Sequence, residues 1–221
     1  MKASLVILAA SAFALAGCAK PTDPSAKNFG AAISQYLDKK GELCLRLNKW
    51  PVDLSEADMR MLKSLPTGEA AQMQALASVG LVTGVDAQVV PADNFGWNSP
   101  AQKMTVKRYT LTEAGKKYYR EQEVTRIGID GVGKAKQGDI CYGKKALEKV
   151  VKWEGPMKFG DYQEANVIYL YRIDKLADWA RSREFAAAFP HAARLIEEAG
   201  KKEQQGAVKL TSLGWEPKAL D

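Results

Sequence analysis

Nucleophilic and metal chemistry need particular side chains held close together, and this sequence supplies few of them. It has one histidine, His191, and three cysteines. A hydrolytic triad joins a nucleophile, a base and an orienting acid within hydrogen-bond reach. His191 instead follows Pro190 near the start of a helical stretch, where a surface or capping role is the ordinary one. Zinc sites gather histidine and cysteine at close spacing, and Cys18, Cys44 and Cys141 are scattered too widely for that. The carboxylate pairs Glu197-Glu198 and Asp174/Asp178 lie among lysines and arginines, a solvated setting. Gly133-Lys134 and Gly143-Lys144 resemble phosphate loops only in those two letters, because Ala135 and Lys145 stand where a hydroxyl is needed. The expectation is a protein that is not an enzyme and takes no cofactor and no metal.

Binding chemistry is better represented. Lys134, Lys136, Lys144, Lys145, Lys149 and Lys152 crowd one region, opposed only by Asp139 and Glu148. Such a run is ordinarily a solvated face; its sharper use is contact with an anionic lipid, a glycan or an acidic protein. The whole chain carries a net charge of +6. With 46% hydrophobic and 26% charged residues, the composition is that of a globular protein with a real core. Tyr118-Tyr119, Tyr169, Tyr171 and the five tryptophans suit core and hairpin packing.

The N-terminus is the most specific stretch. Lys2 is followed by an apolar run from Ala3 to Gly17, too short to span a bilayer, which needs roughly 20 apolar residues. The run closes on Leu15-Ala16-Gly17-Cys18. That quartet resembles the lipobox of bacterial lipoproteins. The resemblance implies removal of residues 1–17 as a signal peptide, acylation of Cys18, and anchorage of the mature chain to a membrane by lipid. Ala19 stands where aspartate would resemble an inner-membrane retention signal, so the resemblance points to the outer membrane, with the body facing the periplasm. Losing Lys2 lowers the net charge from +6 to +5. Residues 18–25 then read as a polar, proline-bearing lipidated tether. With Cys18 assigned to lipid, Cys44 and Cys141 remain as a pair in an oxidising compartment and have one connectivity.

Two further parts follow, 26–124 and 125–221. Phe29, Ile33, Tyr36 and Leu37 recur at helical spacing over Ala26–Lys40, and Gly41 stops that helix. Leu43 to Leu47 alternates as a short strand. Ser55 with Asp58 forms an N-cap signature, Thr67 is positioned to cap the next helix, and Gly80 ends it. Leu81–Val90 and Val106–Leu111 read as strands joined by a loop over Pro91–Pro100, and Thr112 caps a helix to about Glu123. Glu123–Gly138, with four glycines, reads as a hinge. Val167–Ile173 is apolar on both faces, the mark of a central strand. Pro190–Gly200 reads as a helix and Ala207–Leu213 as a closing strand. Leu210-Thr211-Ser212-Leu213-Gly214 echoes Leu111-Thr112-Glu113-Ala114-Gly115.

The texture of Ala75–Val82 and Tyr109–Gly115, with this order of elements, resembles winged-helix domains. The expected fold class is therefore α+β: a winged-helix-like N-terminal half joined to a small antiparallel sheet with flanking helices. DNA binding is not expected. The helix that would enter the groove, Gly68–Val79, has no basic residue, and phosphate contacts require cations. Export also removes nucleic acid from the list of partners. The expected function is a lipid-anchored, non-catalytic binder of an envelope protein or anionic envelope component. The alternatives are a protective lipoprotein that blocks a lytic enzyme and, third, a hydrolase with an unrecognised site.

Overall fold

A computed structural model of the protein describes residues 20–47, 50–90, 103–128 and 131–220. The expected leader, Cys18 and the expected loop Pro91–Pro100 lie outside the described residues.

Helix α1 spans Ala26–Lys40, the range that the apolar spacing predicts. The Ser25 hydroxyl accepts from the Asn28 N–H at 3.2 Å, satisfying one of the free donors of the first turn. Gly41 ends the helix because nothing larger fits: a Cβ there would lie 2.3 Å from the Leu37 carbonyl oxygen. The chain then enters β1 (Glu42–Cys44). This strand pairs with β6 (Gly131–Phe159), the longest in the fold. β6 also pairs with β5 (Tyr119–Gly128) and with β7 (Tyr162–Asp174). Beyond β7 lie β8 (Gln204–Thr211) and β9 (Gly214–Pro217), and every pairing is antiparallel. Phe29, Ile33 and Leu37 of α1 bury themselves against Val167, Tyr169 and Tyr171 of β7, with Val208 and Trp215 beside them. Each such apolar side chain contributes on the order of 2 kcal/mol. Phe29 meets the ring of Trp215 edge-on at 4.8 Å.

A second, three-stranded antiparallel sheet is formed by β2 (Val52–Ser55), β3 (Val82–Val89) and β4 (Met104–Leu111), in the order β2-β4-β3. Between β2 and β3 come α2 (Glu56–Arg60) and α3 (Glu69–Ser78). Ser55 and Asp58 form a reciprocal capping box at the start of α2. After α3, Gly80 takes φ +74, its N–H donating to the Ala77 carbonyl and that of Leu81 to Leu76. Helices α5 (Arg183–Ala188) and α6 (Pro190–Glu198) close the other side. Leu54, Met73, Leu76, Leu81, Ile140, Tyr142 and Phe185 make one continuous core, so the two sheets share their apolar interior.

Several stretches depart from the sequence pattern. The helix capped by Thr112 is only α4 (Glu113–Lys116), not a helix to Glu123. Gly115 is a poor helix former, and it is required there because a Cβ would come 2.0 Å from the Leu81 carbonyl oxygen. Tyr118-Tyr119, Val124 and Thr125 then favour a strand. The glycine-rich stretch Glu123–Gly138 is no hinge. It is the outer part of the β5–β6 hairpin, paired in register from Glu123↔Lys136 to Gly128↔Gly131. Gly138 is a packing glycine, since a Cβ there would fall on the Tyr119 side chain. Gly68, not Thr67, precedes α3, with no side-chain cap. Helix α5 and strands β2 and β9 carry too few residues for a periodicity to announce them. The two five-residue echoes differ in structure: Thr112 caps α4, whereas Thr211 leads into the turn between β8 and β9.

The expected tether is also more ordered than its composition suggests. The Lys20 N–H donates to the Asp23 carboxylate at 2.8 Å, the Asn28 side-chain amide donates to the Lys20 carbonyl at 2.7 Å, and the Trp215 indole N–H donates to the Thr22 carbonyl at 3.1 Å. Residues 20–25 thus lie against the start of α1 and the β8–β9 turn.

Cys44 and Cys141 form a disulfide, as the pairing argument expects. They face each other directly across the β1–β6 ladder, with Cα atoms 3.8 Å apart and a sequence separation of 97. In the chain-entropy view, opening a loop of that length costs about 4.7 kcal/mol. Urea unfolding of the oxidised protein and of a Cys44→Ser, Cys141→Ser variant should differ by about that amount; equal midpoints would show that the β1–β6 ladder holds without the covalent link.

Candidate functional site

The segment α1–β1 folds back over β6, leaving a cleft of about 470 Å³ between α1, β8 and α6. One wall is the C-terminal half of α1, with Tyr36, Leu37 and Lys40; the opposite wall is His191 and Leu195 of α6, with Gln204 of β8. Lys145 of β6 and Arg46 complete it. The backbone fixes Lys145: its N–H donates to the Gly41 carbonyl at 2.8 Å, so the turn that ends α1 also sets the lysine's position.

Lys145 is half-buried, and its ammonium sits 4.2 Å from the centre of the Tyr171 ring, in a cation–π contact. Burial lowers its pKa, opposed by the more distant Glu198. Among the described residues no carboxylate stands within ion-pair distance of it. The Tyr171 phenol is committed to structure, donating to the Leu195 carbonyl at 2.6 Å, and burial pushes its pKa up to about 12.

Arg46 reaches the cleft through a left-handed residue, with φ of 64°. Asp139 holds that bend. Its carboxylate accepts from the N–H groups of Arg46 at 2.6 Å, Leu47 at 3.3 Å and Ile140 at 2.8 Å. Burial raises the Asp139 pKa, and these backbone hydrogen bonds pull it back only in part. Among the described residues, Lys40, Arg46 and Lys145 therefore line the cleft against a single carboxylate, Glu42. A larger recess of about 580 Å³ on the far side of β1 is nearly balanced: Lys117, Arg120, Lys144 and Lys175 face Asp38, Glu42 and Asp174.

The six lysines of the sequence cluster do not form one face. Strand alternation sends Lys144 and Lys145 to opposite sides of β6; Lys144 pairs with Asp38 at 3.3 Å and lines the balanced recess. Lys149 and Lys152 are exposed opposite Leu170 and Ile168, on the side of β7 that faces away from Tyr169 and Tyr171. Lys134 and Lys136 lie out on the β5–β6 hairpin, where Lys136 pairs with Glu121 at 3.2 Å. Only Lys145 enters the cleft. Tyr36, Lys40, Arg46 and Gln204 join it from distant parts of the chain, and no local pattern marks them.

Other candidates are occupied. Glu42, Cys44 and Cys141 come within metal-ligand distance of one another, but the two sulfurs are bonded together. Arg194 donates to His191 Nδ1 at 3.1 Å. Arg108 makes a two-pronged pair with Asp53 at 2.7 and 2.8 Å. The neutral surface of α3 lies against the same chain: Gln74, Ala75 and Ser78 share a shallow groove with Glu184, Ala187 and Ala188 of α5. Comparison with protein-family models, with curated proteins and with solved structures found no match to the chain.

Replacing Asp139 by Ala leaves three backbone donors without their acceptor, each costing about 1–3 kcal/mol if unmet, and offsets this only in part by removing a desolvated charge. Chemical denaturation should therefore read a net loss of about 1–2 kcal/mol; an unchanged midpoint would show that the Arg46 bend holds itself.

Proposed function

We propose that this chain is an outer-membrane lipoprotein, anchored through lipid on Cys18, whose α+β body binds an anionic group of an envelope partner without catalysing a reaction. The observation that carries the binding reading is Lys145: a half-buried cation in a cleft with Lys40 and Arg46, without a carboxylate partner among the described residues. The mixed lining of Tyr36, Leu195 and Gln204 suits a carboxylate or phosphate borne on a short apolar segment. The anchor reading rests on Leu15-Ala16-Gly17-Cys18. A disulfide in the body is in keeping with an exported protein. Among the described residues no helix is long and apolar enough to cross a membrane.

The winged-helix resemblance of the N-terminal half is supported by the succession β2, α2, α3, β3, β4 and by the strand order β2-β4-β3. We read that unit as a packing module. Its second helix spends small residues on α5, and Arg108 is engaged by Asp53, which argues against a phosphate-binding surface.

Two measurements test the two parts separately. Cys18→Ser should move the protein from the detergent phase to the aqueous phase, or leave the leader uncleaved; unchanged partitioning of a processed protein would remove the anchor. For the cleft, a fluorescein-labelled oligoglutamate peptide serves as probe. Exchanging both Arg46 and Lys145 for Glu should weaken its binding about 10- to 100-fold, since hydrogen bonds to charged groups contribute about 1.5–3 kcal/mol. Exchanging Lys149 and Lys152 for Glu should leave it within about twofold. Equal losses from the two pairs would place the anion elsewhere.

A further inference from the structure

The chain beside Cys18 is held to one particular end of the large sheet. Lys20 is fixed through both its N–H and its carbonyl. Pro21 lies so close to the β8–β9 turn that a Cβ on Gly214 would come 3.0 Å from its carbonyl oxygen. From Cys18 to Lys20 there are two peptide units, which span at most about 7 Å. A lipid on Cys18 therefore leaves the body almost no slack, and the β8–β9 turn must lie next to the bilayer.

That end of the sheet is unusually apolar. The β6–β7 turn is there too, because Glu164 pairs with Met157 on one side and with Lys209 on the other, just short of the β8–β9 turn. Leu213 is 82% exposed, Phe159 63% and Met157 53%, the first in one turn and the others in or beside the second. Lys20 and Lys158 are exposed beside them, with Asp161 at the tip of the β6–β7 turn. Large apolar side chains on adjacent turns, flanked by lysines, have the composition of a membrane-interface contact.

We propose that Met157, Phe159 and Leu213 dip into the bilayer interface beside the acylated Cys18, so that the protein stands on the membrane in one orientation. The lipid supplies the attachment, and contact by these turns fixes the direction in which the cleft opens. This rests on the anchor reading, and the choice of a bilayer over a protein partner comes from the short span between the lipid and Lys20.

The test uses full-length protein purified from membranes and reconstituted into phosphatidylethanolamine–phosphatidylglycerol vesicles whose acyl chains carry bromine near the headgroup. Phe159→Trp and Val132→Trp are compared, each as excess fluorescence quenching over the parent chain. Val132, 74% exposed, lies at the opposite end of β6. Quenching should be at least about threefold stronger at 159 than at 132. Equal quenching in protein that floats with the vesicles overturns the contact face while leaving the anchor standing, whether a partner protein or a second copy then covers the turns. Mass spectrometry showing Cys18 without acyl chains overturns both the anchor and this face.

Discussion

β6 shares its backbone hydrogen bonds among three strands in turn. Its first ten residues pair with β5, the stretch Cys141–Lys144 pairs with β1, and from Lys144 onward the partner is β7. Everything at the cleft depends on that succession. The switch of partners occurs where β1 is inserted, and there Gly41, the disulfide and Lys145 fall within a few residues of one another. A strand so long can do this because its register shifts after Leu147, Val150 and Glu154 let it bend as it goes. The chain's first helix is thereby seated on strands made from its last third.

Local physics was written clearly wherever one element's own residues decide it. The apolar spacing of Phe29, Ile33 and Leu37 gives α1 its bounds, the Ser55–Asp58 pair gives the start of α2, and Gly80 gives the end of α3. Apolar residues on both faces of Val167–Ile173 correctly mark a central strand. The antiparallel α+β class follows from the same signals. Where glycines serve packing instead of bending, the pattern misleads. Gly138 beneath Tyr119 and Gly133 in the hairpin look like a hinge in sequence and are ladder positions in the fold.

The cleft was legible only as excess positive charge. Lys145 belongs to the sequence cluster, but nothing local separates it from Lys144, its neighbour on the opposite side of the strand. What distinguishes it is the Tyr171 ring below and the α1–β1 turn beside it, both long-range. Arg46 owes its place to Asp139, a residue whose only visible sequence feature was its charge. A half-buried cation with no ion-pair partner among the described residues and a nearly balanced recess on the other side of β1 are chemically different surfaces that one run of lysines cannot tell apart.

The bond from the Trp215 indole to the Thr22 carbonyl joins residues 193 apart, and it has a consequence for the order of assembly. A chain made from its N-terminus presents α1 long before β7, β8 and β9 exist to receive it. Phe29, Ile33 and Leu37 then have no partner, and Cys44 waits 97 residues for Cys141. Contacts of such long range make folding slow. Helix α1 is made early and seated late, so the growing chain carries an uncovered apolar stripe for most of its synthesis, the interval in which a chaperone would find it.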